Sequence, residues 1–440
     1  MTNQTFRELK PQLQEVWRLS LPAILTQITT IAMQYIDSAM VGRLGANASA
    51  AIGLVASSTW LFNGVCYAVA AGFSVQVAHR IGAACDKDAR NVVNHGLVSA
   101  LIVSGLLCLL GLLIHARLPV WLGGEADIVR DAGLYFMTFA IMLPFSQMNA
   151  LTASYLQCAG DMLTPSILNA VMCVLDVVFN ALLIPRLGVL GAGFGTMLAC
   201  AVVSGLMFWR CCFKNSQLAF RRREKQAFDA RILKTAFRIG APVAVQELAM
   251  NGAMVAATAI IAPLGAVAVA ANSFAVTAES ICYMPGYGIA NAAAALVGRF
   301  VGAGDMTQAK RYGNICTGLG AFLMTCTGTV MMLICPLVFS LLTPVAQVQA
   351  LAVRVLRMEL LAEPLFGVSI VAAGALRGAG DTLVPSLMNL GSIWVVRIGL
   401  ALLLVPRMGL PGMWIAMTVE LCVRGLLMLY RQHTSKYYHR

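Results

Sequence analysis

Long apolar runs separated by short polar breaks set the pattern of this chain. Gly96 to Leu113 is eighteen residues without a charge and ends in SGLLCLLGLL. A helix needs about 20 mostly apolar residues to cross about 30 Å of hydrocarbon. Runs of that kind predict spans near 16–41, 50–77, 94–115, 132–156, 163–185 and 190–213, then 236–262, 270–298, 314–342, 351–376, 383–405 and 411–430. The one long polar break, KNSQLAFRRREKQAFDARILK (Lys214–Lys234), divides six spans from six.

The two sets of six repeat one another. CAGDMLTPSILN (Cys158–Asn169) returns as GAGDTLVPSLMN (Gly378–Asn389), 220 residues later. With that offset Arg18 meets Arg238, Pro22 meets Pro242, Gly45 meets Gly265, Gly82 meets Gly302 and Pro144 meets Pro364. One inserted residue further on, Pro185-Arg186 meets Pro406-Arg407. Agreement centred on Gly and Pro means matching turns and kinks. In the repeated phrase Gly supplies the bend, Asp can cap the following helix and Pro starts it.

An even number of spans brings the second copy in from the same side as the first. The expected fold is therefore an all-α polytopic membrane protein of twelve transmembrane helices. They form two parallel six-helix lobes with a pseudo-two-fold axis along the membrane normal, 1–213 and 235–440, joined by a cytoplasmic linker, 214–234. Parallel halves of this kind rock about a central site to give alternating access.

Composition agrees and narrows the class. The chain is 59% hydrophobic and 11% charged, with mean hydropathy +0.79. A soluble protein exposes about a quarter of its residues as charges. The polar start MTNQTFRELKPQLQEVWRLS lacks the layout of a cleaved signal peptide, so the first span is expected to be retained. With a cytoplasmic N-terminus, 22 of the 31 Lys and Arg fall on the cytoplasmic side, Arg221, Arg222, Arg223 and Lys225 among them, against seven opposite. That asymmetry is the positive-inside rule and places both termini in the cytoplasm of a bacterial inner membrane. It also explains the net charge of +12 without nucleic acid, since juxtamembrane basic clusters face anionic headgroups. The 13 cysteines show no metal-ligand spacing and are read as small apolar residues.

Charges inside spans cost a few kcal/mol each and are therefore functional candidates. In the first half, Gln27, Thr30, Gln34 and Asp37 lie on one face of span 1, and Asn169, Cys173, Asp176 and Asn180 lie on one face of span 5. The second half erases both stripes: Ala257 stands opposite Asp37, and Val396-Arg397 opposite Asp176. A carboxylate stripe rich in side-chain oxygens can carry a proton or coordinate sodium; Asp37 and Asp176 are metal ligands only in the second case. Helix-pinning by either acid is the alternative.

The second half has its own acids, Glu247, Glu279, Glu359, Glu363 and Glu420, with Arg397 and Arg424 inside spans. Glu279 precedes Pro285-Gly286, and Glu363 directly precedes Pro364, so kinks are expected at both. Glu359 and Glu363, four apart, are expected on one helical face, with Glu359 solvated near the outer rim. Glu420 and Arg424 are spaced as an i,i+4 pair, and Arg397 can neutralise one acid. Met33, Met284, Tyr35, Tyr283 and Tyr287 are candidates to line a cavity for varied ligands, cations among them.

Pro22, Gln27, Asp37, Met40 and Gly42 in LPAILTQITTIAMQYIDSAMVGRLG are the residues through which this chain resembles the multidrug and toxic compound extrusion (MATE) family. LRGAGDTLVPSLMN and YMPGYGIANAAAALVGRFVGAGD add to the resemblance, which covers essentially the whole chain. It implies twelve helices in two lobes around a V-shaped cavity and proton- or sodium-driven export of drugs, commonly cationic. The acid of span 1 maps onto Asp37 and that of span 5 onto Asp176, which is nearer the DNA-damage-inducible-F-like branch. That branch often has Asn one turn before the span-5 acid; here Met172 stands there and Asn180 lies one turn after. The other branch places a Glu in span 7 and an Asp in span 10, with Glu247 and Glu363 as approximate matches.

The sequence thus points to a secondary active antiporter with no cofactor beyond H⁺ or Na⁺ as the coupling ion. Asp37, Asp176, Asn180 and Gln34 are assigned to coupling, and Glu279, Glu363, Glu247, Tyr35, Met33 and Arg397 to the substrate cavity. Its expected partners are small xenobiotics and membrane lipids, in a monomer. A Walker-A motif is absent, which argues against direct use of ATP, and no H-E-x-x-H or G-x-S-x-G argues for an enzyme. A flippase for an amphiphilic or lipid-linked substrate, with Arg397 on the headgroup, is the second transporter reading.

Overall fold

The polar breaks become helix ends. A computed structural model describes residues 3–221 and 228–436. Arg222, Arg223 and Lys225 of the linker lie outside the described residues, which contain no strand. The first half comprises α1 (Asn3–Gly42), α2 (Ala46–Gly82), α3 (Asp86–Ile114), a short α4 (Leu118–Trp121), α5 (Ala126–Cys158), α6 (Leu163–Leu187) and α7 (Val189–Trp209), with a π turn at Arg210–Lys214. The second half comprises α8 (Ala230–Ile261), α9 (Ala266–Gly302), α10 (Met306–Leu342), α11 (Ala346–Glu359), α12 (Glu363–Ala379), α13 (Leu383–Gly391), α14 (Gly399–Met408) and α15 (Leu410–Thr434). Among the described residues eleven helical segments are long and apolar enough to cross a membrane, or twelve when α11 and α12, bent by 59°, count as one span.

The repeat is legible in the backbone. Left-handed glycines close corresponding turns: Gly45 with Gly265 (φ 113° and 93°), Gly160 with Gly380 (87° and 90°) and Gly188 with Gly409 (60° and 66°). The last pair is 221 apart because a residue is inserted, and the structure shows where it goes. α6 is a regular helix, whereas its counterpart carries a π turn at Ser392–Ile398 between α13 and α14. A π turn absorbs one extra residue without breaking the helix.

Two compact units emerge, and their limits are not those of the repeat. Leu25–Glu247 forms one unit; Met1–Ile24 and Leu248–Arg440 form the other. The start of the first helix of each half therefore packs with the opposite half, whereas the sequence division runs at 1–213, 214–234 and 235–440. Close backbone approach is the physical reason. In the first unit a Cβ at Gly72 of α2 would lie 2.5 Å from the Ala236 carbonyl of α8; in the second a Cβ at Gly288 of α9 would lie 2.6 Å from the Ile24 amide of α1. Lipid tails are as apolar as Leu, so such small-residue contacts, rather than a hydrophobic drive, hold membrane helices together. The linker ends are tied to the first unit, Arg90 Nη1 donating to the Gln217 carbonyl (3.1 Å) and the Asp229 amide to His95 Nε2 (3.1 Å).

Each unit has a packed interior and an apolar outside. Phe62 meets Phe136 edge-on at 5.7 Å in the first unit; Trp414, Phe339 and Met324 are fully buried in the second. Leu113, Leu333, Leu341 and Val395 are each more than two-thirds exposed, a surface suited to lipid and not to water.

Candidate functional site

Two clusters of charge lie inside the spans, one per unit. In the first unit, α6 carries Asp176 and Asn180 one turn apart, both fully buried, and α1 brings half-buried Asp37 against them. Asn180 Nδ2 donates to Asp37 Oδ1 at 2.9 Å and to Asp176 Oδ2 at 3.2 Å. One amide nitrogen thus bridges the two carboxyl groups, and a carboxylate has no hydrogen of its own to give. Asp176 Oδ1 and Asn180 Oδ1 are buried without a partner.

Two further residues belong to this site that sequence reasoning missed. Gly195 of α7 packs against Asn180, where an added Cβ would lie 2.9 Å from Cγ, so only glycine lets α7 approach. Its signal in the sequence was one Gly among several in GAGFGT. Tyr135 of α5 packs against the cluster of Val41, Ile184 and Ala192, one turn on from Asp37 and Asn180; nothing in its local pattern marked it. Gln34 is exposed on α1 and makes no hydrogen bond to the carboxylates, while Met33 is half-buried and Tyr35 exposed on the same helix. Glu247 is half-buried on α8.

In the second unit Glu279, Glu359, Glu363, Glu420 and Arg424 are each less than a tenth exposed, and Arg397 is half-buried. Glu420 Oε1 pairs with Arg424 Nε at 3.0 Å and accepts from Ser392 Oγ at 2.6 Å. The Arg424 guanidinium also lies over the Phe366 ring at 5.3 Å. Arg397 Nη2 rests against the Met417 thioether, and its Nε is buried without a partner. All four carboxyl oxygens of Glu359 and Glu363 are buried without a partner.

Two expectations need correction here. Glu359 is fully buried, not solvated at a rim. Nor do Glu359 and Glu363 share a face of one continuous helix: they flank the break at Leu360–Ala362, the first ending α11 and the second opening α12. Pro364 suits that break, because its ring disfavours a regular turn before it, whereas α5 runs on through the matching Pro144. α9 is one continuous helix that contains Pro285, with Thr327 Oγ1 donating to the Cys282 carbonyl (3.2 Å) one turn earlier. Among the described residues no group of three or more His, Cys, Asp or Glu could hold a metal ion.

A duplicated set of helices long and apolar enough to cross a membrane, with buried charge in each half, is the build of an integral membrane transporter. The family described as MatE matches residues 22–182 and 242–403, and the chain belongs to that family. The matched stretches open 220 residues apart and close 221 apart, the same repeat and the same insertion. The chain is 26% identical to a probable multidrug resistance protein NorM of Chromobacterium violaceum, over 96% of this chain and 94% of that one. It is 27% identical to a protein of the same description from Thermotoga maritima, over 94% and 91%. Its fold matches a MOP superfamily transporter from Pyrococcus furiosus (TM-score 0.92, 20% identity, 98% and 97% covered) and a MATE transporter of Vibrio cholerae (0.92, 18%, 98% and 99%). These relatives and neighbours are transporters, not enzymes.

Proposed function

We propose that this chain is a multidrug exporter of the bacterial inner membrane, working as a monomer with both termini cytoplasmic. It moves organic, commonly cationic compounds outward in exchange for protons by alternating access. Support for the substrate class comes from the relatives named multidrug resistance proteins. The observation that carries the coupling is that Asp37 and Asp176 accept from one Asn180 amide nitrogen, a placement of two neighbouring acids in which holding a single proton relieves their repulsion.

The mechanism follows from the electrostatics. With one proton shared, α1 and α6 are drawn together through Asp37, Asp176 and Asn180. When the proton leaves, two like charges face one another away from bulk water, and at such separations their repulsion is worth several kcal/mol. α1 then separates from α6, and half-buried Asp37, the member nearer open space, is the route by which the proton leaves. One charge crossing 100 mV supplies about 2.3 kcal/mol, enough to drive such a step. The placement nearer the DNA-damage-inducible-F-like branch belongs to the same proposal and rests on this first-unit pair. Glu279, Glu363, Glu247, Tyr35, Met33 and Arg397 are proposed to face the substrate.

Ethidium transport in proteoliposomes, driven separately by proton and sodium gradients, tests the reading. Export driven by the proton gradient, and lost in Asp37→Asn and Asp176→Asn, is the expected result. Export driven only by sodium would replace the shared proton with a sodium ion. Export unaffected in both variants would remove the pair from coupling altogether.

A further inference from the structure

The start of the first helix of each half packs on the opposite half, and the two junctions are built differently. In the second unit α1 meets α10 through direct side-chain bonds. Gln12 Nε2 donates to Gln308 Oε1 at 3.1 Å, and the Tyr312 hydroxyl donates to Glu15. The Tyr312 ring also stacks on Phe300 of α9, with centroids 4.7 Å apart. At the offset of 220, Gln12 corresponds to Ile232, Gln308 to Asp88, Glu15 to Thr235, Tyr312 to Val92 and Phe300 to Arg80. In the first unit these matching residues line a cavity of about 380 Å³ between α2, α3 and the start of α8. That volume lies within the range of small-molecule sites, about 300–1,000 Å³. The second copy fills the same place with rings and amides, so the shared backbone does not require a cavity there.

The wall is charged and balanced. Arg80 Nη1 lies 3.5 Å from Asp88 Oδ2, both side chains more than half exposed. Arg231 forks onto Asp229, Nε to Oδ1 and Nη2 to Oδ2, each at 3.1 Å. Exposed pairs of this kind are weak and readily exchanged for a ligand. Asn91 Oδ1, on the same wall, is buried without a partner, an acceptor that an N–H donor would satisfy.

Arg80 stands in the last turn of α2 and Asp88 in the first turn of α3, at the ends of two spans. The α3 face that carries Asp88 and Asn91 continues as Val98 and Ile102, at i+7 and i+11 from Asn91 and 50% and 58% exposed. Between them Phe228, 76% exposed, lays its ring 5.7 Å from that of His95. A charged recess at the helix ends that runs into an exposed apolar stripe fits a molecule with a charged head and acyl tails.

We propose that this cavity binds the phosphoethanolamine group of a zwitterionic phospholipid. Arg80 and Arg231 take the phosphate; Asp88, Asp229 and Asn91 Oδ1 take the primary ammonium. An anionic headgroup brings no cation to the two carboxylates, and a trimethylammonium has no N–H for Asn91. The proposal goes beyond the exporter reading and stands without it, since it needs only that the apolar helices lie in a bilayer.

Native mass spectrometry of the purified full-length protein, titrated in detergent with phospholipids of identical acyl chains, tests it. Phosphatidylethanolamine is expected to bind about fivefold more tightly than phosphatidylcholine or phosphatidylglycerol. Arg80→Phe with Val92→Tyr installs the ring pair of the second copy and is expected to abolish the preference. Arg231→Gln, at a side chain 91% exposed, is expected to cut the preference about threefold and keeps the test open if the double variant does not fold. Equal binding of the three lipids by the wild type, or an unchanged preference in either folded variant, would overturn the proposal. Glycerophosphoethanolamine, the same group without acyl chains, is expected to displace no lipid at equal concentration. Displacement would keep the recognition chemistry and overturn the lipid as its source.

Discussion

The two units share a backbone plan and differ in how they hold charge. The first places two carboxyl groups under one neutral amide, Asn180. The second buries four carboxyl groups, Glu279, Glu359, Glu363 and Glu420, the last locked to the Arg424 guanidinium. At the turns the copies agree in backbone and mostly in residue; inside the spans they do not. Duplication therefore preserved what the backbone requires and released the polar positions to diverge. The lesson is that buried charge in such a fold takes two forms: two acids under one amide donor in the first unit, and a fixed ionic strut, Glu420 with Arg424, in the second.

The largest expected effect breaks that comparison if it fails. Glu420→Gln strands Arg424 in the interior without its charge partner, at a cost of about 3–5 kcal/mol. Thermal unfolding in detergent should show a large fall in midpoint, largely recovered when Arg424→Leu is combined with Glu420→Leu. Asp176→Asn should change the midpoint little, within about 1 kcal/mol, because no cation depends on it. A strongly destabilised Asp176→Asn would make the first-unit pair a strut as well.

Gly195→Ala comes next. Its methyl group meets the Asn180 amide, and crowding of this kind costs about 1–3 kcal/mol. Ethidium export should fall with it, because the amide that bridges Asp37 and Asp176 is displaced. The smaller Gly205→Ala change on the same helix, where a Cβ meets nothing within 4 Å, is the control and should leave both export and midpoint unchanged.

A third comparison concerns the repeated phrase itself. Asp161 accepts from the Thr164 amide (3.0 Å) and hydroxyl (2.7 Å), as a cap for α6, and its ion pair with Arg210 is 3.6 Å long and partly exposed. In the second copy Val384 replaces that Thr, and Asp381 turns instead to Arg431 (2.7 Å) and Ser435 (2.9 Å), almost fully buried. Asp381→Asn should therefore lower stability by about 1.5–3 kcal/mol, and Asp161→Asn by about 1 kcal/mol or less. Equal losses would mean that both aspartates act only as caps.

Much of this was legible in the sequence, for reasons that differ by feature. The spans were, because apolar length is a direct requirement of the bilayer. Asp37, Asp176 and Asn180 were, because charge and amide at helical spacing stand out against an apolar background. Glu420 with Arg424 was readable from i,i+4 spacing alone. Gly195 and Tyr135 were not, since their part depends on which helices meet, a fact no local pattern encodes. Glu359 was misplaced because a helical wheel assumes an unbroken helix, and the break at Leu360–Ala362 sits between the two acids being compared. The inserted residue before Pro406 was visible as a number, but its meaning needed the π turn.

The smallest expected effect is also the cleanest test of how strictly the turns are shared. Gly304 takes φ 78° after α9, and the matching position after α2 is Ala84, at φ 55°. It is the one residue other than glycine with positive φ among the described residues. A Cβ in the left-handed region costs about 1–2 kcal/mol. Ala84→Gly removes that strain but gives the unfolded chain more freedom, which offsets it by up to about 1 kcal/mol. A net gain of about 0.5–1 kcal/mol is expected, while Gly304→Ala, open to solvent and unobstructed, should lose about the same. Opposite signs at the two positions would show that both turns demand the same backbone and that Ala84 is a tolerated departure. A loss in Ala84→Gly would instead mean that the alanine methyl makes a favourable contact, and that this one turn has diverged as the spans have.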